Sequence, residues 1–323
     1  MKTKYFSIVI SLLVCISIIE VEGQQTYDFR FNYLNQFLRN PAAISPLDRS
    51  FTSANYQSAF SAIENPPVNS FVSLQYPIPN QNISFGLGLR YESASLIDDI
   101  SAQLGASYKI RGIFNDLDYL SFGTSATLYQ IRLRGKDAIV NNAQDPLVTS
   151  GFQSAFGVNV HVGAMYATRG ARGKKRSVTD GNSRWIIGFS AGQILPQNTN
   201  LETFSYDEQF FIYGHSSLEI KSSNIVRLIP MVEVMLEEGN AINGRLSVRS
   251  IFGEALVVGA SYDLHNALGL EVGYQMGSIT GRQLGLSSGS QLFISVNANL
   301  PFGQIDSYIN SGFGASVSYF FSG

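Results

Sequence analysis

The sequence predicts an all-β transmembrane protein, an antiparallel up-and-down β-barrel of about 14 strands with a short N-terminal plug segment. Three observations lead to this prediction. Beyond its first 23 residues the chain has no apolar run approaching 18 residues, so helices do not carry it across a membrane. Apolar and small polar residues alternate with a period of two along most of the chain. Charged residues make up only 14%, while Gly (30), Phe (22) and Tyr (16) are abundant, as is typical of membrane strands.

The first 23 residues have the pattern of an export signal. Lys2 and Lys4 supply the positive start, residues 5–19 the apolar region, and a small-residue cleavage site precedes Gln24. A membrane anchor is the alternative, but the run is shorter than the ~20 residues that a span needs. Cys15, the only cysteine, lies in this run. The mature chain is therefore expected to have no disulfide and no thiol-based metal or redox chemistry.

Residues 24–51 form a separate N-terminal segment that precedes the barrel, residues 52–323. The stretch 31–46, FNYLNQFLRNPAAISP, is too polar and too rich in proline signals to be a strand. We expect it to plug the barrel, with Asn40-Pro41-Ala42 turning the chain inside or beneath the lumen, because a residue before proline favours an extended backbone. Four aromatic residues are expected to pack against the barrel wall: Phe29, Phe31, Tyr33 and Phe37.

The strands follow from the alternation. In residues 83–91, Ile, Phe, Leu, Leu and Tyr share one face, whereas Ser, Gly, Gly and Arg share the other. The small polar face cannot form a dry core, so it is predicted to line a wet lumen while the apolar face meets outer-membrane lipid. A soluble β-sandwich with shorter strands is the alternative. The fourteen predicted strands lie near 52–60, 69–76, 83–92, 100–110, 119–131, 153–167, 184–194, 209–221, 225–236, 242–251, 255–263, 268–276, 290–300 and 313–321.

Ionisable residues within the strands are predicted to point into the barrel, because each charge facing lipid costs about 2 to 4 kcal/mol near the midplane. They serve either as ion pairs across the lumen that stiffen the barrel, or as a polar channel or a surface that grips an inserted segment. The eight candidates are Arg90, Lys109, Glu219, Arg227, Glu233, Arg245, Arg249 and Glu271.

An even strand number places both termini on one side, which we expect to be the periplasm. The connections 132–152 and 195–208 then face the exterior, and the connection 168–183 faces the periplasm. The last connection is either a solvated loop or a docking patch for an acidic periplasmic partner, since clustered charge steers association. It carries five cations against Asp180 alone: Arg169, Arg172, Lys174, Lys175 and Arg176.

Catalysis, cofactors, metals and nucleic acid find no support in the sequence. Residues 188–192 match G-x-S-x-G, but Ser190 lies within a predicted strand and no helix pattern follows. The histidines His161, His215 and His265 lack metal-ligand spacing. A net charge of −2 leaves no excess of cations to neutralise phosphates.

Several motifs occur in the order typical of one family. Asn40-Pro41-Ala42 is followed by PVNSFVSL at 67–74, FGLGL at 85–89, LSFG at 120–123 and GSQL at 289–292. This ordered set, spread over residues 27–300, resembles the PorP/SprF-like outer-membrane proteins of the type IX secretion system. The departures are the residues after Ala42, where the family has an aromatic residue and a glycine, and those after Ser290, where it has a His-Glu pair. About 25 residues also extend past the usual family end.

The resemblance implies a non-enzymatic integral protein of the outer membrane. It would bind the C-terminal sorting domain of a secreted, adhesin-like cargo linked to gliding, and aid its export or surface retention. The implied partners are that cargo, the translocon and periplasmic components tied to peptidoglycan. The alternative is a FadL-like transporter of hydrophobic small molecules, a family that also has fourteen strands and an N-terminal hatch. That hatch is usually longer than the roughly 28 residues that precede the first strand here, which favours the secretion role.

Overall fold

A computed structural model gives the fold of most of the chain. The residues that it describes are 33, 35–59, 66–94, 96–114, 116, 118–134, 152–168, 183–195, 198–200, 205–207, 209–222, 225–237, 242–253, 255–264, 267–277, 290–301 and 312–321. No helix within these ranges has the length and apolar character to cross a membrane.

Fourteen antiparallel strands in the described ranges form one closed barrel, which confirms the predicted fold class and strand number. Neighbours in sequence pair with each other, and the first strand pairs with the last to close the wall. The strands are β1 Phe51–Ser58, β2 Val68–Pro77, β3 Ile83–Ala94, β4 Ile97–Arg111, β5 Tyr119–Arg134, β6 Phe152–Ala167, β7 Ser183–Gly192, β10 Phe211–Lys221, β11 Val226–Glu237, β12 Ile242–Phe252, β13 Leu256–Asp263, β14 Ala267–Met276, β15 Gln291–Pro301 and β16 Gly312–Phe320.

Two short strands lie outside the barrel sheet. Strands β8 (Asn198–Asn200) and β9 (Ser205–Asp207) pair only with each other, in the connection between β7 and β10. The sequence predicts a loop for this connection, because three-residue strands are too short to show an alternating pattern.

Side chains alternate across the wall as the sequence predicts, with the large apolar residues outside. On β3, Phe85 and Leu89 are about half exposed, whereas Gly86 and Gly88 between them are buried. Leu104 of β4 is 64% exposed, and Lys109 of the same strand is 1% exposed. Polar residues inside and apolar residues outside are the pattern of a barrel that meets lipid.

The two ends of the barrel differ. Strand β1 begins and β16 ends at one end, which we name the terminal end; the opposite end is the loop end. Strands β5 and β6 pair over sixteen residues, whereas β6 pairs with β7 only at residues 162–167. The β5–β6 hairpin therefore extends beyond the rim of β7 at the loop end.

The barrel interior as candidate functional site

Residues 35–50, named here the inserted segment, lie inside the barrel. They form two 3₁₀ turns, Gln36–Leu38 and Pro41–Ala43, and the second turn packs against β4, β5, β6 and β7. Phe37 and Ile44 are fully buried. Of the four aromatic residues predicted to pack against the wall, Phe29 and Phe31 lie outside the described residues.

Asn40 fixes the turn at the centre of the inserted segment. Its backbone is extended (φ −121°, ψ 99°), as expected before proline, and its Oδ1 accepts a hydrogen bond from the backbone N–H of Ala42 at 3.0 Å. Its Nδ2 donates to the carbonyl oxygen of Ala164 at 3.3 Å and lies 3.3 Å from Nε2 of His215. Asn40 thus joins the turn to two strands of the wall.

Glycines on the inner wall provide the space that the inserted segment occupies. A Cβ atom at Gly123 would lie 2.3 Å from the carbonyl carbon of Pro41, and one at Gly163 would lie 2.1 Å from Oδ1 of Asn40. A Cβ atom at either position would therefore force the inserted segment to shift. We name as the glycine wall the six inward glycines of β3 to β7 that face the inserted segment: Gly86, Gly88, Gly105, Gly123, Gly163 and Gly188.

From the sequence these glycines are expected to line a wet lumen, whereas in the structure they contact the inserted segment. A signal for this contact exists in the strand register. Gly86 lies directly opposite Gly105, and Gly123 directly opposite Gly163. Paired inward glycines on neighbouring strands indicate that another part of the backbone approaches closely.

Charged groups anchor the inserted segment near the terminal end. Nζ of Lys109 donates to the carbonyl oxygen of Ser45 and to Oδ1 of Asp48, both at 2.6 Å. Nη1 of Arg111 donates to Oδ2 of Asp48 at 2.9 Å. Burial alone raises the pKa of Asp48, but the two cations outweigh burial and lower the pKa below its ordinary value.

Further hydrogen bonds to strand side chains hold the backbone next to this anchor. The Tyr119 hydroxyl and Nη2 of Arg184 both donate to the carbonyl oxygen of Pro46, at 2.9 and 2.8 Å. Oε1 of Gln75 accepts from the backbone N–H of Ser45 at 2.6 Å. The chain around residues 45 and 46 is therefore bound by strands on several sides of the barrel.

The other seven predicted charges also face inward, and their ion pairs run along the wall between strands that are one or two positions apart. This arrangement differs from pairs that would cross the lumen. Arg249 reaches Glu271 over Gly259, which lies between them in register. The pairs are Arg90–Asp99 at 2.9 Å, Arg227–Glu219 at 3.1 Å, Arg245–Glu233 at 3.6 Å, Arg245–Asp263 at 2.6 Å and Arg249–Glu271 at 2.8 Å. We name the set on β10 to β14 the ion-pair wall.

The candidate catalytic and metal-binding residues have structural contacts. Oγ of Ser190 donates to the carbonyl oxygen of Arg39 at 2.9 Å, so it binds the inserted segment. His161 and His215 are buried and face inward. In the part of the chain that the structure describes, no group of three or more His, Cys, Asp or Glu residues could hold a metal ion. His265 and the five cations Arg169, Arg172, Lys174, Lys175 and Arg176 lie outside the described residues.

Comparison with known proteins gives a family match and a set of structural likenesses. The family model described as "Type IX secretion system membrane protein PorP/SprF" matches residues 21–319. No curated protein matches the chain in sequence. The "CymD monoaromatic hydrocarbon channel" is 12% identical with a TM-score of 0.52, over 91% of this chain and 94% of that chain.

Two toluene transporters are similar to the same degree. TbuX of Ralstonia pickettii is 9% identical with a TM-score of 0.50, over 90% of this chain and 93% of that chain. TodX of Pseudomonas putida is 11% identical with a TM-score of 0.50, over 95% of this chain and 100% of that chain. At these identities the likeness shows a shared barrel fold alone.

Proposed function

Because the chain belongs to the PorP/SprF family of type IX secretion system membrane proteins, we propose that it is a non-enzymatic component of the outer membrane. In this proposal it binds the C-terminal sorting domain of a secreted, adhesin-like protein and aids the export of that protein or its retention at the surface. The structural observation that supports this role is the occupation of the barrel interior by the chain's own inserted segment.

The charged side of the interior favours protein binding over transport of hydrophobic small molecules. Phe37 and Ile44 fill the space along the glycine wall, and the opposite side of the interior carries the ion-pair wall. A hydrophobic solute gains nothing from charged surface, because ionic groups lose favourable hydration when an apolar molecule covers them. The loop end, where the β5–β6 hairpin extends beyond the rim, is left for a protein partner.

The proposal also assigns the two ends to partners. The loop end faces the exterior and meets the cargo, whereas the terminal end faces the periplasm and meets the translocon and components tied to peptidoglycan. The β6–β7 connection, with its five cations, joins strands at the terminal end, and clustered positive charge there steers an acidic periplasmic partner.

The test is the isolation of the tagged barrel from cross-linked membranes, followed by mass spectrometry of the proteins recovered with it. We expect recovery of a large protein with a C-terminal sorting domain, and loss of that protein when its domain is deleted. An unrelated outer-membrane barrel with the same tag is the control. Recovery of a hydrophobic ligand without a protein partner, together with normal secretion in a strain that lacks the gene, would overturn the proposal in favour of transport.

A further inference from the structure

A groove crosses the outer, lipid-facing wall of the barrel. Its volume is about 990 Å³, and it touches seven neighbouring strands, β16 and β1 to β6. On each strand it is centred on one residue, and these seven residues are paired in a single register row: Ser316, Asn55, Phe71, Arg90, Ser101, Tyr129 and Gly157. Seven strands at the usual spacing give the groove a length of roughly 29 Å.

The groove is apolar along this length. Phe71, Ser101 and Tyr129 are buried, so backbone forms the floor. The outward side chains on either side of the row form the banks, and Leu128 and Phe156 among them are 60% and 77% exposed. A concave apolar surface in the wall of a membrane barrel is in contact with the hydrocarbon of the bilayer.

The register row rises toward the loop end. It crosses β1 at Asn55, four residues from the terminal-end start of that strand at Phe51, and crosses β5 at Tyr129, ten residues from its start at Tyr119. The groove therefore begins at mid-height on β1 and ends near the rim on β5 and β6. A molecule that lies along this slope has one end in the hydrocarbon of the bilayer and the other at the membrane–water interface.

A cationic patch lies at the high end of the groove. Gln130, which lines the groove, accepts two hydrogen bonds from Arg132, at 3.0 Å from Nε and 2.7 Å from Nη2. In the described structure the hydrogen bonds of Arg132 go to Gln130, and Asp98 lies directly opposite Arg132 in register. Arg134 lies on the same face and pairs with Asp98 at 3.4 Å. Among the described residues, the patch thus has two guanidinium groups and one carboxylate.

We propose that this outer groove is a binding site for a membrane lipid with an anionic, phosphate-bearing headgroup. An acyl chain lies in the apolar groove along the register row, and the phosphate group binds Arg132 at the loop end. The slope of the groove joins the two parts of the site, because it carries the chain from mid-height on β1 to the patch on β5. Guanidinium groups bind phosphate with paired hydrogen bonds, and Gln130 holds Arg132 beside the groove.

Native mass spectrometry of the whole barrel in detergent tests the site, with palmitoyl-oleoyl phosphatidylglycerol and phosphatidylcholine as probes. We expect phosphatidylglycerol to bind about fivefold more tightly, the contribution of one arginine near an anionic headgroup. Arg132→Gln removes this preference and Arg132→Lys keeps most of it. Ala54→Trp fills the groove and weakens both lipids, whereas Ala260→Trp on the lipid-facing side of β13 does not.

Three outcomes would overturn the proposal. The first is equal binding of the two lipids that Arg132→Gln does not change. The second is equal loss of lipid in the Ala54→Trp and Ala260→Trp variants, which would show nonspecific coating of the wall. The third is a dimer that Ala54→Trp disrupts, which would assign the groove to a second copy of the chain.

Discussion

Asp48→Asn is the change that most directly tests how the inserted segment is held. Lys109 is 1% exposed, and the substitution leaves its ammonium group with the Ser45 carbonyl oxygen and without a carboxylate. Removing one partner of a fully buried ion pair costs about 3 to 5 kcal/mol. Asp48 and Arg111 are 15% and 26% exposed, so water replaces part of the lost interaction. We therefore expect Asp48→Asn to weaken the binding of the inserted segment to the wall by about 2 to 3 kcal/mol. The fraction of molecules in which the segment has left the wall, the open population, then rises roughly 30- to 150-fold.

Hydrogen exchange measured by mass spectrometry on the purified barrel reports this population, because amides of the inserted segment exchange when it leaves the wall. Asp263→Asn is the matched control, since it breaks the 2.6 Å contact with Arg245 between two strands of the ion-pair wall, β12 and β13. Exchange of residues 35–50 should rise in Asp48→Asn and stay unchanged in the control. Equal exchange in the wild type and Asp48→Asn, or an equal rise in both variants, would refute the argument.

Three further predictions concern the same interior. Gly123→Ala places a Cβ atom 2.3 Å from the Pro41 backbone, and we expect about tenfold or faster exchange of the inserted segment, whereas Gly214→Ala, with its nearest contact at 3.4 Å, has little effect. The two cations lower the pKa of Asp48, so its contribution is present above about pH 3.9 and lost as pH falls through the lower folded value. Intrinsic-rate-corrected exchange of residues 45–50 should therefore rise more steeply below about pH 4 in the wild type than in Asp48→Asn. Arg249→Met leaves Glu271, 1% exposed, without its cation, and should lower the free energy of urea-induced unfolding by about 3 kcal/mol; an unchanged midpoint would contradict this.

The strands could be predicted from the sequence because the cause of each is local. A strand between lipid and an inner wall must alternate, and residues 83–91 alternate without a break. Closure of the barrel could also be predicted from the sequence. Each edge strand needs a neighbour, and an even number of antiparallel strands allows β1 to pair with β16. The short strands β8 and β9 could not be predicted, because three residues carry no period.

The contacts of the interior could not be predicted, because they join distant parts of the chain. Lys109 was expected to point inward, but its partner Asp48 lies 61 residues away in a segment without periodicity. Asn40 and His215 are separated by 175 residues. The sequence shows which glycines point inward, but their contact with the inserted segment depends on the strand register. The alternation does not fix this register, because a shift of two residues keeps every side chain on the same face.

The barrel and the inserted segment depend on each other unequally. The wall closes through the pairing of β1 with β16, and seven of the eight predicted inward charges find their partners on other strands. Loss of the inserted segment would leave these interactions in place, and the glycine wall would become an open surface. Lys109 is the exception, because its carboxylate belongs to the segment and its side chain has almost no contact with water. The free-energy cost of withdrawing the segment is therefore concentrated at Lys109, whose buried ammonium group would lose its carboxylate. A partner that displaces the segment has to provide an anion there.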